Sequence, residues 1–454
     1  MAHPDRTQGV LRLDAVDLRD RLASGALKAV DLVRACLARI AELEPQIGAW
    51  AWIDDAHALA QAQRLDQWRQ SGRPLGPLHG LPVGLKDIID TKGIPTENGT
   101  PIDAGRIPTE DAWVAARLRA AGAVILGKTV TTEGAYLHPG KTRNPHDPGH
   151  TPGGSSQGSA AAVAAGMVPL AVGTQTGGSV IRPAAFCGVV GLKPSFGMIP
   201  RTGILVQSPT LDTVGVFARS VADCALLADA LAGHDPADRA TEALPAPRLL
   251  DTALSQPPLA PVFAFLKPPG WDEADPQTRA ALEELAALLG DQCFEADIPG
   301  LDEAAGVRRR INLAEMAKCY HALERRGRDR MSDILGAALD EGKAIPARDY
   351  IAALDWPTVL NAGMEPVFAR CDAILCPAAP GPAPRGLDHT GDAIFNGLWT
   401  LTGMPAITLP AFVADSGLPM GVQLVGRRGN DGRLLRTARW LAAHLETTNQ
   451  GETT

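Results

Sequence analysis

Leu81-Pro82-Val83-Gly84-Leu85-Lys86 is a short apolar run that ends on a lysine. Three similar runs follow: Val124-Ile125-Leu126, Pro169-Leu170-Ala171-Val172 and Val189-Val190-Gly191-Leu192. Turns rich in glycine, proline or serine bound each run, and alanine-rich helical stretches lie between them. Short runs of strand length alternating with helical segments across 78–230 predict an α/β fold, a sheet with covering helices.

Working outward, residues 11–70 read as helices. Leu18, Leu22, Leu27, Leu32 and Leu37 recur at roughly helical spacing among charges, and 56–68 continues in the same way. Residues 235–300 are proline-rich and irregular, with one helical stretch at 278–289, and 302–342 look like long charged helices. Strands return at 373–376, 406–409 and 422–425, and a final helix runs from 432 to 445. There is no internal repeat and no composition break sharp enough to mark a domain boundary, so a single domain is expected.

The composition excludes several function classes. The 454 residues are 45% hydrophobic but only 4% aromatic, so a core of small and aliphatic side chains is expected. A net charge of −8 with no basic run leaves no electrostatic footprint for nucleic acid. The seven cysteines are scattered and never in CxxC spacing, which argues against a disulfide framework and a zinc site. His138, His146 and His150 match no metal-binding spacing. The start, Met1-Ala2-His3-Pro4-Asp5-Arg6, has no apolar signal core. The small-apolar stretch 160–172 is broken by Gly166 and Pro169 and is too short for a bilayer. The expectation is a cytoplasmic protein with no membrane partner.

Two segments carry serine beside dense glycine: Thr151-Pro152-Gly153-Gly154-Ser155-Ser156-Gln157-Gly158-Ser159 and Gly173-Thr174-Gln175-Thr176-Gly177-Gly178-Ser179. Each abuts a helical stretch, where free N–H groups and the helix dipole favour developing negative charge. Those are the ingredients of a nucleophile with an oxyanion hole; plain surface loops are the alternative. A serine hydroxyl needs a base, and Lys86 is the candidate. On a strand, Lys86 shares its face with Pro82 and Gly84, a setting that can strip the ammonium of water. Lowering a lysine from about 10.4 to ~7.5 costs the ammonium about 4 kcal/mol, which burial can supply. The alternative is an ordinary lysine paired with Asp87 or Asp90.

The block Gly153-Gly154-Ser155-Ser156-Gln157-Gly158-Ser159-Ala160 resembles the amidase-signature block, and Gly173-Thr174-Gln175-Thr176-Gly177-Gly178-Ser179 resembles its continuation. The Lys86 strand is similar to the family's catalytic-lysine strand. Gly403-Met404-Pro405-Ala406-Ile407-Thr408-Leu409-Pro410 and Gly421-Val422-Gln423-Leu424-Val425-Gly426 resemble its closing block. The likeness covers about 10–230 and 365–445 and leaves a variable substrate-side segment at about 235–360. It implies a large central mixed, twisted β-sheet covered on both faces by α-helices. It also implies a serine amidase cleaving a small-molecule amide, or a carbamate (urethane) or ester, through an acyl-enzyme. Ser179 would be nucleophile, Ser155 (after a cis peptide) the bridge, and Lys86 the base. Backbone N–H groups of Thr176, Gly177, Gly178 and Ser179 would form the oxyanion hole, with Arg182 and Tyr136 as substrate-binding candidates. No cofactor and no metal are implied; a homodimer is consistent with the family.

The sequence departs from the family pattern at three places. Gln175 stands where many members have Asp, and Gln157 replaces a small residue. The arginine usually found in Gly-Gly-Ser-Ile-Arg is shifted by one, to Arg182. On that shift the chain resembles the malonamidase-like, small-amide branch more than the alternative, the amidase subunit of a tRNA-dependent amidotransferase complex. Two other patterns are decoys. Gly122-Ala123-Val124-Ile125-Leu126-Gly127-Lys128-Thr129 fits the P-loop expression, but its middle is itself strand-like. Gly154-Ser155-Ser156-Gln157-Gly158 fits the nucleophile elbow of an α/β-hydrolase, but a proline-rich loop precedes it where a strand is required, and His321, His389 and His444 lack motif context.

Overall fold

A computed structural model describes residues 9–451. The Leu81 run becomes β2 (Pro82–Lys86), and each of its five residues is buried. It pairs in parallel with β3 (Val124–Thr129) on one side and β4 (Leu170–Gln175) on the other. The remaining strands are β1 (Trp50–Ile53), β5 (Val190–Lys193), β6 (Thr213–Ala218), β7 (Phe263–Leu266), β8 (Cys293–Ala296), β9 (Ala373–Pro377), β10 (Ala406–Val413) and β11 (Pro419–Val425). Among the described residues these form one sheet in the order β1-β3-β2-β4-β6-β5-β10-β11-β9-β7-β8. Parallel pairing is confined to β3-β2-β4 and β9-β7-β8, and the other neighbours are antiparallel. The sheet is therefore mixed.

Side-chain alternation divides the core. In β7 and β9, Phe263, Phe265, Ala373 and Leu375 join one apolar cluster, while Ala264, Leu266, Ile374 and Cys376 join another. The first cluster is closed by Leu434, Leu435, Ala438 and Leu441 of the final helix, the second by Leu360, Met364 and Phe368 of the Ala347–Phe368 helix. Period-two alternation along a strand thus supplies a buried face on each side, and helices cover both.

The Gln157–Ala164 helix shows why the first serine block is so poor in bulk. A Cβ at Gly158 would lie 2.1 Å from the carbonyl oxygen of Ala49 and 2.4 Å from the amide nitrogen of Val130. Ala160, Ala161 and Ala162 behind it are fully buried. Only small residues let this helix lie so close to β1 and β3.

The expected strands are all present, most of them longer than their apolar runs. Three features differ from the sequence reading. β1 interrupts the helical region 11–70, lying between the Ala29–Ile47 and Asp55–Gln70 helices. β6 is a strand the sequence reading does not include. Segment 235–360, read as mostly irregular before 300, contributes β7 and β8 to one edge of the sheet. All seven cysteines are free. Among the described residues no helix is long and apolar enough to cross a membrane.

Candidate active site

Lys86 is the last residue of β2, and its side chain is fully buried. Its Nζ donates to Ser155 Oγ at 2.7 Å and to Thr174 Oγ1, on β4, at 2.9 Å. Burial lowers its pKa from 10.5 to about 7, with the Asp212 carboxylate pulling the other way. Asp87 and Asp90, the sequence-level alternatives, pair elsewhere: Asp87 lies 3.8 Å from Lys128, and Asp90 accepts from Arg106 at 2.6 Å. Desolvation here is strong enough that an appreciable share of Lys86 is a free amine at neutral pH.

Ser155 follows a cis peptide bond from Gly154 and is buried. Ser156 faces β4, where its Oγ donates to the Thr174 carbonyl at 3.2 Å and accepts the Thr174 N–H at 3.3 Å. The two adjacent serines thus do different work: one meets the lysine, the other anchors the loop. The approach 143–152 is irregular, with no strand leading into the serines as an α/β-hydrolase elbow requires.

Ser179 lies in the turn between β4 and the Ile181–Cys187 helix and is partly exposed. Gln175 holds that turn from both ends of its amide. Its oxygen accepts the N–H groups of Val180 (3.0 Å) and Ile181 (3.1 Å), while its nitrogen donates to Thr400 Oγ1 at 3.0 Å. Thr400 Oγ1 in turn donates to the Gly177 carbonyl at 2.9 Å. An aspartate at position 175 has acceptors for the helix N-terminus but no donor for Thr400, which accounts physically for glutamine here. Gly178 is required by crowding: a Cβ there would sit 2.4 Å from Asn396 Oδ1 and 2.7 Å from the Ala393 methyl. Among the described residues, the N–H groups of Gly177, Gly178 and Ser179 have no acceptor within the protein. Thr176 Oγ1 donates to Asp212 at 2.6 Å; burial raises that carboxyl's pKa to about 6.

The remaining candidates are placed as follows. Arg182 is buried and spends its guanidinium on the chain, donating to the Gly391 carbonyl (2.8 Å), the Gly154 carbonyl (2.6 Å) and Thr390 Oγ1 (3.2 Å). Tyr136 is half-buried beside Arg308 and Arg309; burial raises its phenol's pKa against those opposing charges. Lys128, the P-loop decoy's lysine, is buried within β3 and donates to the Ile89 carbonyl (2.5 Å) and Thr96 Oγ1 (2.6 Å), so the matched stretch is a strand and no phosphate loop. Among the described residues no cluster of His, Cys, Asp or Glu could hold a metal ion.

A profile of the Amidase family matches residues 31–435. The chain belongs to this family. Amidase relatives in sequence include a glutamyl-tRNA(Gln) amidotransferase subunit of Chloroflexus aurantiacus, 35% identical over 91% of this chain and 93% of that protein. Its counterpart in Symbiobacterium thermophilum is 35% identical over 94% and 95%. Solved structures include one described with a vestigial protein complex that bears on the origins of an s-triazine catabolic enzyme (TM-score 0.89, 30% identity, 95% of this chain and 98% of that one). The peptide amidase of Stenotrophomonas maltophilia aligns with a TM-score of 0.83 at 31% identity, covering 94% and 96%. This amidase is therefore an enzyme acting on amide C–N bonds. Contrary to the sequence expectation, the shifted arginine does not set it apart from the amidotransferase branch. Glutamyl-tRNA(Gln) amidotransferase subunits stand among its relatives at 32–35% identity, and Arg182 is bound to backbone rather than presented as a branch-specific group.

Three neighbours of the candidate site escape the sequence reading. Thr174 reads only as part of a glycine-rich run, although strand register beside β2 brings it to the lysine. Asn396 carries no motif of its own, although it crowds Gly178. Asp212 gives no signal, since a buried carboxylate looks like a turn aspartate until its partners are known.

Proposed function

We propose that this amidase works through Ser179 as nucleophile, Ser155 as proton relay and Lys86 as base. The observation that carries the proposal is the buried Lys86 amine, 2.7 Å from Ser155 Oγ and shifted toward its neutral form. In the neutral amine the same contact lets Ser155 pass its proton to Nζ while taking one from Ser179. Ser179 Oγ bonds to the acyl carbon, and the carbonyl oxygen becomes an oxyanion against the N–H groups of 176–179. As the C–N bond breaks, the proton returns through Ser155 to the leaving nitrogen, and an amine or ammonia departs. Water then repeats the sequence on the ester, which releases the carboxylic acid and frees Ser179. Arg182 serves this reading as a brace, since it fixes the carbonyl of Gly154 beside the relay.

The curated relatives support one setting better than the other. They favour an amidase subunit of a tRNA-dependent amidotransferase complex, hydrolysing glutamine for its partners, over the stand-alone small-amide hydrolase expected from the sequence. The second setting is favoured by solved neighbours such as the peptide amidase and 6-aminohexanoate cyclic dimer hydrolase. A serine-directed fluorophosphonate should label Ser179, and Ser179→Ala should abolish labelling. Labelling of Ser156 instead overturns the assignment. Glutamine hydrolysis that depends on added partner proteins and tRNA establishes the complex. Turnover of aliphatic amides, aryl amides or urethanes by the purified chain alone establishes the stand-alone enzyme.

A further inference from the structure

Asp212 immediately precedes β6, whose first residues pair with the end of β4. One oxygen of its carboxylate accepts the Thr176 hydroxyl at 2.6 Å. The other accepts the backbone N–H groups of Gln207 (2.8 Å) and Ser208 (2.9 Å). Thr174 and Thr176 lie two residues apart, and both line a cavity of about 400 Å³ with Asp212, Arg201 and Lys318. Thr174 Oγ1 is the second partner of Lys86 Nζ. The carboxylate thus reaches the site at two points. It holds the first residue of the oxyanion turn, and it shares a cavity wall with the lysine's threonine partner.

The charged and titratable groups around this carboxylate are few. Arg201 donates to the Asp212 carbonyl at 3.0 Å, but its guanidinium is committed to Asp238 at 2.7 Å. On the Glu303–Cys319 helix, Glu315 is turned to Ser208, Thr210 and Tyr350. Lys318 of that helix makes no ion pair with a described residue. Cys319 and Tyr320 stay neutral: burial raises the pKa of each, and the Asp212 charge adds to the rise. Burial raises Asp212 itself to about 6, below the value of about 7 for Lys86, so the carboxylate is ionised while the lysine titrates. When Ser155 passes its proton to Nζ, a buried ammonium forms, and a fixed anion in the same region lowers its cost. We propose that Asp212 is a positioning residue for acylation: it sets the Thr176 end of the oxyanion turn through the hydroxyl and steadies the ammonium that forms on Lys86. The inference rests on the acyl-enzyme reading and adds the counter-charge that the triad lacks.

The test is the rate at which a fluorophosphonate labels Ser179, followed from pH 5 to 10 in wild type, Asp212→Asn and Thr176→Val. In Asp212→Asn the side-chain amide can turn so that its oxygen accepts the Gln207 and Ser208 N–H groups and its nitrogen donates to Thr176 Oγ1. Only the charge is then lost. Without the anion the ammonium is disfavoured, so the free amine persists to lower pH. The rising limb should therefore move down by about one pH unit, the lower end of what an adjacent opposite charge does to a pKa. Thr176→Val keeps the charge but frees the turn. Its plateau rate should fall by about 10- to 100-fold, the cost of a misplaced transition-state contact, and Thr176→Ser should restore it. A limb unmoved in Asp212→Asn, or a plateau untouched by Thr176→Val, overturns the proposal; Thr176→Val decides on its own should Asp212→Asn fail to fold. A wild type that takes no label at Ser179 removes the acyl-enzyme reading itself, whereas labelling with an unmoved limb removes only the role of Asp212.

Discussion

Replacing Lys86 with methionine separates catalysis from stability in one variant. The fall in the Lys86 pKa from 10.5 to about 7 corresponds to about 5 kcal/mol of unfavourable interaction with the charged form. The unfolded chain keeps its proton up to about 10.5, whereas the folded chain releases it near 7. Below pH 7 the wild type carries the whole cost of a buried ammonium. Between pH 7 and 10.5 the unfolded state holds the extra proton, so wild-type stability rises with pH relative to the variant. Lys128 and Lys193, also lowered by burial, to about 8 and about 7, titrate over an overlapping range, but they remain in Lys86→Met and cancel in the difference. Denaturant unfolding of both proteins from pH 6 to 10 should show the variant at its relative best at low pH, with the advantage shrinking by up to about 5 kcal/mol as pH rises. Wild-type turnover should climb to a plateau above pH 7, and the variant should lose at least about 10²- to 10⁴-fold, the usual worth of a positioned base. A stability difference flat across this range, or near-normal turnover in Lys86→Met, would refute the buried-base argument.

Gly178→Ala forces a methyl to within 2.4 Å of Asn396 Oδ1; kcat should fall for every amide substrate, because the turn carrying the oxyanion donors must move. Gln175→Leu strands two N–H groups and Thr400, at about 1–3 kcal/mol for each buried group left unpaired, and differential scanning calorimetry should report a lower Tm. Arg182→Met should reduce both Tm and kcat, on neutral and acidic amides alike. A KM increase confined to acidic amides with unchanged Tm would instead make Arg182 a substrate ligand.

Much of the candidate site was legible because its proposed chemistry is concentrated in short glycine-bearing runs. Lys86 could be suspected from strand alternation alone, since Pro82 and Gly84 offered its face neither charge nor water. Ser155 and Ser179 stood out because glycine permits the close backbone approaches that crowding at Gly178 now shows. The sheet's centre was readable from apolar runs buried on both faces, whereas β1, four residues long between two helices, lacked the length to declare itself. Asp212 was illegible for a different reason: its burial and its tie to Thr176 are set by packing that no local pattern announces.

The Arg182 brace has a consequence for biosynthesis. Ser155, Ser179 and Lys86 have all been translated by the time residue 179 is added, but the Gly391 carbonyl that Arg182 grips lies 209 residues beyond Arg182 itself. At roughly 5–20 residues per second, the ribosome needs about 10–40 s to add that stretch. Throughout that interval the two serine loops exist without their clamp, and Thr400, which ties down the Gly177 carbonyl, has also not been made. A nascent chain thus lacks these ties until its closing block emerges, and a product truncated before residue 390 would carry every proposed catalytic side chain without the contacts that hold the two serine loops.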